Sequence, residues 1–164
     1  MPNANDVGTT TFSTPSELEF RATRVFKASR QLLWAAYTEP AHIKQWLLGP
    51  PGWTMPVCEV DLRAGGTWRY VWRRDAGTEM EMTGTYREVT PRTRLVATER
   101  WGPQWPETVN TTEFAEANGR TTVTTTVRYP NVEARDAAAK TGMKDGMTAS
   151  YDRLEGFLAS MENG

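Results

Sequence analysis

The sequence predicts an α+β domain in which a curved antiparallel sheet wraps around a long C-terminal helix. Residues 141–161 carry apolar side chains at helical spacing, with polar side chains on the opposite side. Upstream of them, about seven segments alternate in hydrophobicity as strands do, and short turns typical of antiparallel hairpins connect most of them. A sheet with one apolar face needs a cover, and the last helix is the only predicted element long enough to provide it.

The first 15 residues are polar and rich in Asn and Thr, and we expect residues 1–15 to be a disordered leader that precedes a single domain over residues 16–164. The leader has no apolar core of the kind that a signal peptide contains, and no window of the chain is apolar enough to span a membrane. Cys58 is the only cysteine, so no internal disulfide can form. These features predict a cytoplasmic protein without stable membrane insertion.

The elements after the leader are predicted from changes in the hydrophobic period. Residues 17–27 alternate as a half-buried strand, and two short helices are predicted over residues 29–39 and 41–47. The Asn118-Gly119 pair is the strongest hairpin signal in the chain. The remaining strands are predicted over residues 55–62 and 67–74, through Met80 to Tyr86, and over residues 93–101, 107–115 and 120–129, with a further short helix over residues 131–139.

Three charged residues share strand parity with apolar neighbours. Arg24 is one of them, so either its strand twists or bulges there, or Arg24 points inward toward a partner. Glu99 and Glu113 are the other two. If they face inward, they could form an ion pair with Arg24 or, with a raised pKa, act as a general acid or base. Solvent exposure is the alternative, because one bulge reverses the parity.

Composition argues against several classes of function. The chain has 19 basic and 20 acidic residues and no basic run, so the electrostatic pattern expected of a nucleic-acid-binding protein is missing. His42 is the only histidine, which leaves no zinc site of the usual kind. The position of Cys58 within a predicted strand favours a buried thiol over a nucleophile. We therefore expect neither a metal nor a cofactor.

Several motifs resemble those of a known family. They are Arg24-Val25-Phe26-Lys27-Ala28, the segment from Glu39 to Trp46, Asp61-Leu62-Arg63-Ala64-Gly65-Gly66, and Gly84-Thr85-Tyr86-Arg87-Glu88-Val89. Together they resemble bacterial proteins similar to the C-terminal domain of the activator of heat-shock protein 90 ATPase, in the START-like helix-grip superfamily known as SRPBCC. The resemblance covers residues 18–158 and implies the helix-grip (START/Bet-v-like) fold.

In that fold the space between the sheet and the last helix is usually a cavity, and such cavities are mostly apolar with a few polar groups. A solid core built from the same side chains is the alternative. Gly142 and Gly146 beside the helical stripe either allow close backbone packing or leave room for a ligand. The side chains predicted to line the cavity are Trp68, Tyr70, Trp72, Met80, Met82 and Tyr86 from the sheet, and Met143, Met147, Tyr151 and Leu154 from the helix.

The first expectation for function is therefore the binding of a small hydrophobic molecule, such as a lipid, in this cavity. The resemblance also implies two alternatives: a chaperone-linked interaction module, and a cavity enzyme of the cyclase, dehydratase or hydrolase type. Residues 49–53 and 101–106 form aromatic, Pro-rich loops. These loops either flank the mouth of the cavity or form the contact of a homodimer.

Overall fold

A computed structural model describes residues 7–163, apart from the side chains of Ala76, Glu162 and Asn163. Its centre is a curved antiparallel sheet of eight strands in the order β1-β2-β8-β7-β6-β5-β4-β3. The strands are β1 (Thr10–Ser13), β2 (Glu19–Phe26), β3 (Thr54–Val60), β4 (Thr67–Arg74), β5 (Thr78–Thr90), β6 (Arg94–Glu99), β7 (Thr108–Ala117) and β8 (Arg120–Arg128). The helices are α1 (Arg30–Thr38), α2 (Pro40–Trp46), α3 (Val132–Ala139) and α4 (Met143–Asn163). The predicted α+β helix-grip architecture is confirmed.

Local sequence signals explain where several of these elements begin and turn. Helix α1 begins after Ser29, whose hydroxyl accepts the backbone N–H of Leu32 at 3.2 Å, and helix α3 begins after Asn131 in the same way. The β7–β8 hairpin turns at Asn118 and Gly119, with φ of 56° and 75°. Both residues adopt the left-handed conformation that the favoured two-residue hairpin turn requires.

Part of the predicted leader is a strand. Strand β1 pairs with β2 at the edge of the sheet, and the ring of Phe12 stacks on Phe20 with centroids 5.5 Å apart. Val7 also forms a bridge with Val25. The expectation of disorder is therefore wrong for residues 7–13, because pairing with β2 orders a stretch that has only one large apolar side chain. Residues 1–6 lie outside the described residues.

The outer face of the sheet carries ion pairs rather than helices. Arg69 lies between Glu59 and Glu81, at 3.2 Å and 2.6 Å, and Arg73 pairs with Glu79 at 2.6 Å. The alternate residues of β4, which include Trp68 and its neighbours on the same face, are buried. The predicted faces of β4 therefore agree with burial except at Val71, which is also buried, and they identify the face that the helices cover.

The covered face contains three groups of packed side chains. The anchor cluster lies where helix α4 meets β2, β7 and β8, the aromatic cluster covers β3 to β6, and the end cluster lies at the end of β8. The buried members of the anchor cluster are Ala22, Phe26, Ala28, Leu33, Ala36, Trp46, Phe114, Val123, Tyr151, Leu154 and Leu158. Those of the aromatic cluster are Ile43, Met55, Trp68, Tyr70, Trp72, Met82, Tyr86 and Leu95, and those of the end cluster are Phe20, Val127 and Tyr129.

Among the described residues, no helix is both long enough and apolar enough to cross a membrane.

Candidate functional site

The side chains predicted to line a cavity are divided among the three clusters. The sheet residues other than Met80 lie in the aromatic cluster, whereas Tyr151 and Leu154 lie in the anchor cluster and Met143 packs against the end cluster. Met147 contacts both the anchor and the end clusters. Met80 is 41% exposed, so its predicted interior position is wrong; it lies opposite Trp72 close to the β4–β5 turn, beyond the reach of the helices.

Helix α4 differs along its length. Its N-terminal segment (residues 143–149) has no buried side chain. Its C-terminal segment (residues 150–161) buries Tyr151, Leu154 and Leu158 to 6%, 0% and 3% exposure. The first segment is therefore covered much less than the second, although both belong to one continuous helix.

In the middle of the face that the helices cover, several inward-facing side chains of the sheet are only partly covered. Phe114 on β7 lies opposite Val123 on β8, and both are buried under the helix, so the alternate residues along each strand also point inward. Five inward residues of β6, β7 and β8 lie between the three clusters and remain partly exposed, whereas Leu95, Thr108 and Val127 on the same face are buried. We call this region the hollow; its floor consists of Ala97, Glu99, Asn110, Thr112 and Thr125.

Two contacts place the hollow beside helix α4. The hydroxyl of Tyr151 lies 3.5 Å from the Thr125 hydroxyl oxygen on the floor. The hydroxyl of Tyr129, at the end of β8, lies 3.5 Å from the sulfur of Met143. Helix α4 therefore contacts the floor through Tyr151 and lies against the end cluster through Met143.

Glu99 is the charged group of this floor. Its Oε1 accepts a hydrogen bond from Trp101 Nε1 at 3.1 Å, and its Oε2 accepts one from the side-chain amide of Asn110. Burial raises the pKa of Glu99 to about 7, while the bond from Trp101 acts in the opposite direction. Its charge adds to burial in raising the pKa of Tyr70 and of Tyr129, so it lies near both phenols.

Trp101, which contacts the Glu99 carboxylate, belongs to a row of packed aromatic rings. Trp101 stacks on Trp72 with centroids 5.2 Å apart, and Tyr70 meets Trp72 edge to face at 5.8 Å. The indole N–H of Trp72 donates to the carbonyl of Leu47 at 2.7 Å, which joins the sheet to the loop after α2. Trp101 is 40% exposed, so this wall is open to solvent on the side of the Trp101 loop.

The loop after α2 is attached to helix α4. The backbone N–H of Gly49 donates to the Ser150 hydroxyl at 2.8 Å, and Arg153 donates to the carbonyls of Trp46 and Gly49 at 3.1 Å and 3.2 Å. Pro50 lies beside Gly146 of the helix. This loop is therefore attached to helix α4 and, through Trp72, to the sheet. Whether the two Pro-rich loops flank the mouth of a cavity or form a homodimer contact stays a prediction.

The other two charged residues singled out from the sequence lie elsewhere. Arg24 is 1% exposed and points inward, where it donates to Asp152 at 2.8 Å and to Glu155 at 3.4 Å on helix α4. Glu113 is exposed on the outer face and pairs with Arg94 at 3.3 Å. Of the two positions considered from the sequence, Glu113 takes the solvent-exposed one, because the alternate residues of β7 face the helix. The pair of inward carboxylates weighed from the sequence is therefore not formed.

Two polar residues of minor interest are accounted for by their surroundings. Burial raises the pKa of the Cys58 thiol to about 11, which keeps it protonated near neutral pH and disfavours it as a nucleophile. His42 Nδ1 lies 3.2 Å from the carbonyl oxygen of Ala35.

Two further depressions lie away from helix α4. One, of about 350 Å³, is lined by residues of β4, β5 and β6, among them Arg69, Gly84 and Arg100; the other, of about 290 Å³, lies between β3 and β4. Gly84 is required there, because a Cβ would overlap the carbonyl of Thr98 and lie 2.6 Å from the Trp68 ring. Neither depression includes a floor residue of the hollow.

Sequence reasoning missed the polar floor apart from Glu99. Asn110, Thr112 and Thr125 are polar residues in strands rich in threonine, where hydrophobicity does not distinguish the two faces. The one available signal was Phe114. Asn110 and Thr112 alternate with it on the same face of β7, and Thr125 lies opposite Thr112 on β8.

A long helix held in a curved antiparallel sheet defines the helix-grip, START-like class of proteins. Within that class, residues 27–159 match the family described as "Activator of Hsp90 ATPase homolog 1-like protein", and the chain belongs to this family.

Solved bacterial structures share the fold. A protein from Rhodobacter sphaeroides is 32% identical, with 93% of this chain and 99% of that chain covered and a TM-score of 0.86. A protein from Nitrosomonas europaea is 25% identical, with 91% and 99% covered and a TM-score of 0.81. An AHSA1 protein from Silicibacter pomeroyi is 21% identical, with 87% and 99% covered and a TM-score of 0.72. No functionally curated protein matches the chain.

Proposed function

We propose that the protein binds a small, largely hydrophobic molecule in the hollow between the sheet and the N-terminal segment of helix α4. The observation that carries the proposal is the partial exposure of the inward-facing floor residues, such as Ala97, Asn110 and Thr125. In a solid core such residues would be covered, because protein interiors are close-packed. An apolar enclosure with a few polar groups is the usual form of a small-molecule site.

The surroundings of the hollow suit a ligand of variable shape. Met143 and Met147 border it from the helix, and methionine side chains are flexible and polarizable. Aromatic rings such as Tyr70 and Tyr86 border it from the sheet and supply large apolar area. The predicted lining residues Trp68 and Met82 would lie behind these aromatic rings and support them.

The proposal is tested by native mass spectrometry of protein purified from the organism that encodes it. We expect a reproducible extra mass of a few hundred daltons that is lost on denaturation. Ala97→Phe, which fills the floor, should abolish the extra mass, whereas Val96→Phe on the outward face of the same strand should retain it. A bare protein mass for the wild-type chain, or an extra mass that Ala97→Phe leaves unchanged, would count against binding in the hollow.

A chaperone-linked interaction is the second candidate. The family description names an ATPase activator, and two exposed apolar side chains, Met80 and Trp101, flank Trp72 at 41% and 40% exposure. Such a patch suits a protein contact. A Trp101→Ala variant should then weaken binding to purified heat-shock protein 90 at least severalfold in a pull-down titration; no binding by the wild-type chain would exclude this candidate.

A further inference from the structure

The Glu99 carboxylate is an acceptor without a counter-charge. Trp101 and Asn110 each donate one hydrogen bond to it, and a carboxylate can accept about four. Among the described residues, no lysine, arginine or histidine forms an ion pair with it. The phenols of Tyr70 and Tyr129, whose pKa values burial raises and the charge of Glu99 raises further, are neutral near pH 7. The partly buried Glu99 carboxylate therefore has no cationic partner among the described residues and is available to a cationic ligand.

The rings beside Glu99 have the chemistry that a cation favours. Trp72 and Trp101 are stacked at 5.2 Å, and Tyr70 packs against Trp72. The faces of tryptophan and tyrosine rings carry negative electrostatic potential and attract ammonium groups, most strongly where water is excluded. Trp101 turns its indole N–H edge toward Glu99 and one ring face toward Trp72, so the carboxylate attracts a cation chiefly by its charge.

We propose that the hollow is specific for an amphiphilic amine, whose ammonium group binds Glu99 beside Trp72 and Trp101 while its apolar body lies along the floor toward Met143. This proposal rests on the proposed function, since it names the ligand class of the same site. An anionic ligand such as a fatty acid is disfavoured, because its carboxylate would meet Glu99. A neutral alcohol would satisfy one free acceptor position without neutralising the charge.

The test compares three probes of equal chain length: octylamine, 1-octanol and octanoate. Isothermal titration calorimetry is carried out with the full chain at about pH 8, where Glu99 is mostly ionised and an alkylamine is still protonated. We expect octylamine to bind roughly tenfold or more tightly than octanol, because charge-assisted hydrogen bonds are about twice as strong as neutral ones. Octanoate should bind more weakly than octanol.

Two variants test whether Glu99 is responsible for the preference for octylamine over octanol. Glu99→Gln should remove the preference for octylamine over octanol. Glu113→Gln makes the same change on the outward-facing glutamate of β7 and should leave all three affinities unchanged. Should Glu99→Gln fail to fold, the wild-type chain decides the question: octylamine, but not octanol, should lower the pKa of the Glu99 carboxyl followed by ¹³C NMR.

The outcomes separate the two proposals. Equal affinity for octylamine and octanol, or an amine preference that survives Glu99→Gln, would overturn the inference about the amine and leave ligand binding in the hollow intact. Failure of all three probes to bind would overturn both proposals.

Discussion

The two segments of helix α4 have the same backbone and different surroundings. Leu154 and Leu158 in the C-terminal segment are completely or nearly buried in the anchor cluster, and Arg24 binds Asp152 and Glu155 from the sheet below. In the N-terminal segment, Met143 and Met147 are only partly covered. The C-terminal segment thus fixes the helix in the sheet, which lets the N-terminal segment remain above a partly open floor.

This difference indicates how the fold combines stability with a binding region. Hydrophobic burial stabilises roughly in proportion to the apolar area that is removed from water, so most of the stability of α4 comes from its C-terminal segment. Regions with few buried contacts open more easily, and binding regions are drawn from them. Four predictions test this division, from the largest expected effect to the smallest.

Shortening an apolar side chain of the helix should lower the free energy of unfolding substantially only in the C-terminal segment. Leu154→Ala should lower the free energy of unfolding by about 4 kcal/mol, because Leu154 is completely buried and the cavity cannot be filled by its neighbours. Met147→Ala, its matched control in the N-terminal segment, should cost about 1 kcal/mol or less. Urea unfolding measures both values; equal losses would contradict the division.

Removal of the acids that bind Arg24 should also destabilise the fold. The double variant Asp152→Asn/Glu155→Gln leaves an arginine that is 1% exposed without a negative partner, and we expect a loss of about 3 kcal/mol in the free energy of unfolding. Asp145→Asn in the exposed N-terminal segment is the control and should be close to neutral. A neutral double variant would show that the Arg24 ion pairs do not hold the helix.

The stability of the protein should fall as pH rises through the range in which Glu99 ionises. The pKa of Glu99 is raised in the folded protein from 4.5 to about 7, so the folded state binds more protons than the unfolded state between these two values. The free energy of unfolding should therefore decrease by about 2 kcal/mol between about pH 4.5 and pH 7.5.

The contribution of Glu99 is isolated by comparing variants over that pH range. Glu99→Gln should lose this part of the slope and Glu113→Gln should keep it, as measured by urea unfolding at a series of pH values. Identical slopes in the two variants would show that the Glu99 carboxyl is not desolvated.

The smallest effect is expected at the helix glycines. A Cβ at Gly146 would meet only Pro50 at 3.9 Å, and one at Gly156 would meet nothing within 4 Å. Each Gly→Ala change should therefore stabilise the helix by about 0.5–1 kcal/mol through helix propensity. Thermal unfolding compares the two; a loss of stability in Gly146→Ala alone would favour the close-packing interpretation of this glycine.

Much of the fold could be predicted from the sequence because hydrophobic period reports burial. The alternation in β4 and the helical stripe that contains Tyr151 and Leu154 each identified the correct covered face. Strand β1 could not be predicted, since pairing with β2 orders it and its own pattern is polar. Bulges also reset the alternation, as between Tyr86 and Glu88 on β5.

The hollow could be predicted less well than the fold. Threonine-rich strands carry almost no contrast between their two faces, so Thr112 and Thr125 gave no sign of facing inward. The parity of Glu113 did not decide between an inward and an exposed position, because it shares parity with Val109, a partly exposed residue of the outer face. The aromatic surroundings of Glu99 depend on the Trp101 loop, whose position follows from tertiary contacts rather than from local sequence.

Amide hydrogen exchange along helix α4, measured by NMR with and without octylamine, tests the central claim most directly. In the free protein, the amides of residues 147–149 should exchange at least roughly tenfold faster than those of residues 154–158, because only the latter are held by the buried core. Octylamine should slow exchange in the first group and leave the second unchanged. Uniform protection along the helix, unchanged by the probe, would contradict the division of α4 into an anchoring segment and a binding segment.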